Sequence, residues 1–101
     1  HLRNVVMGPA IVEYLDRIDE TLEPFGGHFI IHGALPEVKE GNWEGDLIVI
    51  AFPDRGKADA WYASPTYQAI KTLRSDNSDG EILLIDSVDA DHRASDILSA
   101  A

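Results

Sequence analysis

Two histidines, His28 and His32, are the side chains of this sequence best suited to chemistry near neutral pH. They stand four residues apart in the stretch GGHFIIHG, residues 26–33, which is typical of a strand. A strand rises about 3.3 Å per residue, so the two Cα atoms would lie roughly 13 Å apart. Zinc needs nitrogen ligands at about 2 Å, and the two imidazoles are therefore not expected to share one metal ion.

The histidines could instead line a pocket. Residues His28, Ile30 and His32 share one face of a strand, and a few polar groups set in apolar walls are typical of ligand pockets. His32 precedes the flexible Gly33 and is the better candidate for a general base or a substrate-orienting group. The alternative is that both histidines are partly buried and donate hydrogen bonds to carbonyls or carboxylates.

A second group of candidate site residues comes from the aromatic-rich stretch 52–74. Tyr62 and Tyr67 could place hydroxyls at the mouth of a pocket between helices and sheet, next to Trp61. Arg74, near a helix C-terminus, is favoured there electrostatically or could bind a substrate carboxylate. The alternative is that the large aromatic residues only pack the core.

Motifs for other chemistries are missing. The sequence contains no phosphate-binding glycine loop, no dinucleotide-binding motif and no HExxH metal motif. Ser64 precedes Pro65 and is expected to cap a helix, because no Gly-x-Ser-x-Gly motif surrounds it. We therefore expect neither a metal nor a cofactor.

The elements that must position these residues follow a β-α-β-β-α-β order. Residues Ile11, Leu15, Ile18 and Leu22 recur at spacings of four and three, which indicates one apolar helical stripe. We predict strands over 2–7, 28–41, 46–52 and 81–88, a helix over 9–23, and two helical pieces over 54–63 and 65–74. A bulge or bend is expected at Gly33 to Pro36.

This order predicts an α+β fold of the ferredoxin-like type, an antiparallel sheet with both helices on one face. The strands over 46–52 and 81–88 are apolar on both faces, although a sheet with one wet face should alternate. Two helices cover only one face, so we expect a second copy to cover the other in a homodimer. Strand propensity alone could explain part of the pattern.

The composition limits the partners. The 101 residues form one domain, predicted over 1–88 and followed by a polar tail over 89–101. The net charge of −10 argues against nucleic acid and anionic membrane surfaces, which require clustered cations. No apolar stretch approaches the roughly 20 residues of a membrane span. We expect a soluble cytoplasmic protein. The chain starts at His1 without a methionine, so we also expect residues before it.

Three motifs resemble a known family. They are Phe-Pro followed by A..WY.S..YQ over 52–68, FGG.F..HG over 25–33 and EG.W over 40–43. From about Leu2 to Val88 the chain resembles the "domain of unknown function 1330" family of the dimeric α/β-barrel superfamily. The resemblance implies two ferredoxin-like protomers packed sheet against sheet, similar in fold to small cofactor-free monooxygenases and muconolactone isomerases. Ala51 replaces a glutamate common in the family, and His28 stands where arginine or lysine is expected.

Two functions are consistent with these features. The first is a homodimer with a small-molecule pocket between sheet and helices, in which cofactor-free isomerisation or oxygenation would use His32 as the base. His28, Trp61, Tyr62, Tyr67 and Arg74 would line that pocket and orient a small organic ligand. The alternative is a non-catalytic ligand-binding or assembly module in which the same residues only pack.

Overall fold

The computed structural model describes residues 1–99 as a mixed α+β chain of helices and small antiparallel sheets, with no closed barrel in that range. In chain order the elements are β1 (Leu2–Arg3), α1 (Pro9–Leu22), β2 (His28–Ile31), β3 (Val49–Ala51), α2 (Arg55–Ala63), α3 (Pro65–Ser75) and β4 (Asp79–Gly80). Short 3-10 helices cover Glu23–Phe25 and Ala94–Ser99. Strand β1 pairs with β4, and β2 pairs with β3, both antiparallel.

Helix α1 begins at Pro9 as predicted, because a first-turn proline loses no helical hydrogen bond. It ends at Leu22, and Gly26 then adopts a left-handed conformation with φ of 71°. The predicted apolar stripe is wrong at Leu15, which is 41% exposed, whereas Tyr14 is buried. After Ile11, the next residue on the same helix face can be Tyr14, three residues on, or Leu15, four residues on. Tyr14 is the buried one because α1 packs against α3 there.

Helices α2 and α3 confirm the predicted break at Ser64. Asp54 caps α2 by accepting a hydrogen bond from the Lys57 backbone N–H at 2.8 Å. The Ser64 hydroxyl accepts from the Tyr67 backbone N–H at 3.2 Å and donates to the Trp61 carbonyl at 2.6 Å. Ser64 therefore serves the end of α2 and the start of α3, and its extended backbone suits a residue before proline.

Ser64→Ala should lower the free energy of unfolding by about 1 kcal/mol, because α3 loses its N-cap acceptor. Urea unfolding followed by circular dichroism measures the change. Ser75→Ala, an exposed position at the other end of α3, is the matched control and should change stability by less than about 0.5 kcal/mol. Equal losses in the two variants would contradict the capping role.

The core lies where α1, α2 and α3 meet the inner side of the β2–β3 pair. Its buried members are Tyr14, Ile18, Leu22, Trp61, Tyr67 and Ile70. Phe29 of β2 and Ile50 of β3 pack against this cluster. Side chains alternate along a strand, so Ile50 faces the core side of β3 and Val49 points to the opposite side.

The predicted last strand over 81–88 is wrong. Strand β4 covers only Asp79–Gly80, which pair with Arg3 and Leu2, and residues 81–88 belong to no strand. Without a paired backbone these residues do not form a ladder, and Leu83 is 81% exposed. Strand propensity in 82–88 is high, but a strand requires a neighbour.

Two other strands are shorter than predicted. The first ends at Arg3 because Asn4 turns the backbone to a φ of 55°. The second ends at Ile31, and its predicted continuation through residues 37–41 is wrong. Gly33 and Gly41 take φ values of 92° and 79°, which direct the chain into a loop.

One isolated bridge connects the two strand pairs. Leu2 and Asp46 exchange both backbone hydrogen bonds, at 3.0 and 2.7 Å, in antiparallel fashion. This bridge places β1 beside the segment that leads into β3. None of the helices within residues 1–99 has the length and apolar character needed to cross a membrane.

Candidate functional site

Three buried polar side chains meet between α1 and α3, and we call them the tyrosine–arginine group. Tyr14 comes from α1, and Tyr67 and Arg74, which are two helical turns apart, come from α3. The two phenol oxygens lie 3.0 Å apart, and Arg74 Nη2 donates a long 3.4 Å hydrogen bond to the Tyr67 hydroxyl. Tyr67 is 1% exposed and Arg74 8% exposed. The group is therefore part of the interior.

The Arg74 guanidinium is a buried charge without a protein counter-ion in the described structure. No carboxylate of residues 1–99 lies within 4.0 Å of its nitrogens, and its buried Nε atom has no hydrogen-bond partner. Buried charges are normally paired, because removing them from water is costly. The C-terminal end of α3 offers only a partial negative charge. Arg74 thus retains an unused donor and an uncompensated charge.

Burial raises the pKa of the Tyr14 phenol well above its ordinary value. Its neighbour Tyr67 raises that pKa further, and Arg74 partly opposes the shift. Burial lowers the pKa of Arg74, but the phenol oxygens of Tyr67 and Tyr14 more than offset this effect, and the net direction is upward. Tyr14 therefore stays a neutral hydroxyl and Arg74 stays a cation at neutral pH.

Aromatic rings form one wall of this group. The Trp61 ring lies 4.1 Å from the Tyr67 ring, between centroids, and 5.5 Å from the Phe52 ring. Trp61 Nε1 donates to the Thr21 hydroxyl at 2.9 Å, which in turn donates to the Ile18 carbonyl at 2.6 Å. Trp61 is thus a satisfied core residue, in agreement with the packing alternative.

Tyr62 occupies the outer side of the same cluster. It is partly buried, its ring lies 5.6 Å from that of Tyr67, and Lys71 Nζ lies 5.7 Å from its ring centroid. Its backbone carbonyl accepts a 2.6 Å hydrogen bond from the Gln68 side chain. The structure therefore brings Trp61, Tyr62, Tyr67 and Arg74 together.

His28 and His32 lie outside this cluster. His28 is exposed in β2, opposite Ala51. His32 follows β2, is exposed, and stacks on Phe29 with 4.4 Å between ring centroids. The β2–β3 register shifts between Phe29 and Ile31, so the irregularity falls earlier than predicted and interrupts the expected alternation of faces. His32 thus contacts Phe29, which packs against the core, and its role as a base stays a prediction.

Sequence reasoning missed Tyr14 and Thr21. Both lie on the buried face of α1, where Tyr14 is three residues from Ile11 and Thr21 is three residues from Ile18. The sequence did contain a signal, because two residues with hydroxyl groups occupy positions of the apolar helical stripe. Buried hydroxyl groups need hydrogen-bond partners. Their partners, Tyr67 and Trp61, lie at least 40 residues away in the sequence, where no local pattern connects them.

Two surface clefts lie apart from the tyrosine–arginine group. One, of about 250 Å³, is lined by loop residues that include Pro36, Val38, Trp43 and Leu47. The other, of about 410 Å³, lies between α1 and α3 near Arg17 and Pro65. Neither is lined by a candidate residue named from the sequence. Within residues 1–99, no group of three or more His, Asp or Glu side chains is arranged to hold a metal ion.

A model of the family described as "Domain of unknown function (DUF1330)" matches residues 1–88. This range includes every candidate site residue discussed above and excludes the 3-10 helix Ala94–Ser99. No curated protein matches the chain.

Proposed function

The chain belongs to the DUF1330 family, and from this premise we propose that it binds a small organic molecule in a pocket between sheet and helices. The observation that carries the proposal is Arg74, a buried cation with an unpartnered Nε and no carboxylate near it among the described residues. Functional sites commonly contain buried charged groups that destabilise the empty protein and pair with a ligand when it binds. Tyr62, Tyr67 and Trp61 would line the pocket beside Arg74.

The reaction we propose is cofactor-free isomerisation or oxygenation of the bound molecule. In isomerisation His32 takes a proton from one atom of the substrate and returns it to another, and in oxygenation dioxygen is the co-reactant and oxidant. The tyrosine–arginine group holds the substrate in place. The stacking of His32 on Phe29, which packs against the same core as Trp61, supports the placement of the imidazole toward this side of the molecule.

The scaffold we propose is a ferredoxin-like protomer over residues 1–88 in a homodimer. The element order, the β1–β4 and β2–β3 pairs and the Leu2–Asp46 bridge are consistent with one sheet in the order β4, β1, β3, β2. Many large apolar side chains remain exposed in one chain, which supports a sheet-to-sheet contact with a second copy. In and next to the β2–β3 pair they include Ile30, Ile31 and Leu47.

A non-catalytic binding or assembly module is the second candidate. It is favoured by the close packing of Trp61 and Tyr67, which are 5% and 1% exposed, and by the exposure of His32. The two candidates differ in whether a small molecule binds the folded protein.

A thermal-shift screen with small acids, lactones and quinones tests the proposed function. A ligand that binds the native state raises the melting temperature by mass action. We expect at least one class to raise it by several degrees. A panel without any stabilising compound would favour the assembly module.

His32→Phe should abolish the ligand-induced rise in melting temperature and leave the oligomeric state unchanged, because the imidazole is proposed to contact the ligand. His92→Phe, which changes an exposed histidine in the tail, is the control and should respond like the wild type. Thermal shift with the stabilising compound and light scattering measure both properties. A normal ligand response in His32→Phe would remove the histidine from the site.

A further inference from the structure

We infer that the ligand is a carboxylate monoanion whose oxygens bind the Arg74 guanidinium and the tyrosine hydroxyl pair. This inference rests on the proposed function and adds the chemical class of the ligand. It follows from the hydrogen-bonding inventory, the charge and the position of the tyrosine–arginine group.

The group has more donors than acceptors. Tyr14 and Tyr67 share one hydrogen bond, and Arg74 donates to the Tyr67 oxygen. Whichever phenol donates in the shared bond, the other phenol keeps a hydrogen that no described residue accepts. The Nε–H of Arg74 is likewise without an acceptor. A ligand that completes the group must therefore supply acceptors, and a carboxylate supplies two oxygens.

The charge selects an anion with a single negative charge. Arg74 is one cation, and no carboxylate within residues 1–99 pairs with it. A neutral ligand would leave this buried charge uncompensated. The second negative charge of a dianion would have no buried cation to pair with in the described site, and the protein already has a net charge of −10.

Arg74 lies near an exposed end of its helix. Arg74 lies in the last turn of α3, and the next two residues, Ser75 and Asp76, are exposed. The guanidinium is thus buried beside Tyr67, close to the C-terminal end of α3. A carboxylate that binds Arg74 would have to enter from this end of α3.

Sodium benzoate and sodium acetate are suitable probes, with neutral benzamide as the matched control for benzoate. We expect each carboxylate at millimolar concentration to raise the melting temperature of the wild type by several degrees. Benzamide should not. Arg74→Met should lose the response, whereas Arg17→Met, which removes an exposed arginine from α1, should keep it.

A direct observation complements the melting curves. The Nε–H signal of Arg74 in a nitrogen–proton NMR spectrum, assigned by its loss in Arg74→Lys, should shift with increasing benzoate and stay unchanged with benzamide. This readout does not depend on the stability of the Arg74→Met variant.

The outcomes separate this inference from the proposed function. Stabilisation by lactones or quinones but not by carboxylates would uphold a small-molecule pocket and overturn the carboxylate class. Equal benzoate responses in the wild type and Arg74→Met, or an unmoved Nε–H signal, would also overturn it. A screen in which no compound of any class binds would defeat the proposed function itself.

Discussion

Ile50→Asp should unfold the protein, whereas Val49→Asp should leave it folded and convert a dimer into monomers. Ile50 packs against the buried cluster of Trp61 and Tyr67, so a carboxylate there would lose its hydration inside the core. Burying an unpaired carboxylate costs roughly several kcal/mol, which is comparable with the roughly 5–15 kcal/mol of a whole domain's free energy of unfolding. Val49 points to the other side of β3, where the proposed second copy would pack.

Circular dichroism distinguishes folded from unfolded variants, and light scattering at micromolar concentration gives the mass. Val49→Thr, a nearly isosteric change, is the control and should keep both the fold and more of the dimer than Val49→Asp. A monomer mass for the wild type would refute the dimer. An unfolded Val49→Asp together with a folded Ile50→Asp would reverse the assignment of the two sheet faces.

Tyr67→Ala should lower the free energy of unfolding by about 3–5 kcal/mol, the range for removing a buried large aromatic side chain. Tyr67 is 1% exposed and its ring contacts those of Trp61 and Tyr62. Alanine would leave a cavity beneath α1 and would also remove the hydroxyl that pairs with Tyr14.

Tyr67→Phe separates these two effects because it keeps the ring. We expect it to cost about 1–2 kcal/mol, since Tyr14 and Arg74 lose a buried partner while packing is retained. Urea unfolding of both variants gives the two values. Equal losses for alanine and phenylalanine would show that the hydrogen bonds, and not the ring, account for the stability contributed by Tyr67.

The helices could be predicted closely from the sequence. Pro9, Asp54 and Ser64 act through contacts within one helical turn, and all three terminate or start helices where the sequence predicted. The apolar segments that form β2 and β3 were also recognisable as strands, but the predicted extension of β2 to residue 41 was wrong. These features depend on neighbours a few residues away.

The strand ends and the sheet pairing could not be predicted in the same way. Residues 82–88 have the composition of a strand, yet β4 covers only Asp79–Gly80 in the structure. The shift between Phe29 and Ile31 likewise depends on β3 and places His32 against Phe29. A strand is defined by its partner, so its limits are properties of a pair of segments.

The candidate site shows the same division. From the sequence alone, Trp61, Tyr62, Tyr67 and Arg74 belong to one aromatic and basic stretch of helix, and Arg74 has two plausible roles. Only the tertiary structure brings Tyr14 to Tyr67, 53 residues away, and buries Arg74 beside them without a carboxylate within residues 1–99. Local spacing determines which side chains share a helix face, whereas burial and pairing depend on which faces meet, because the loss of water around a charge is a property of the assembled core.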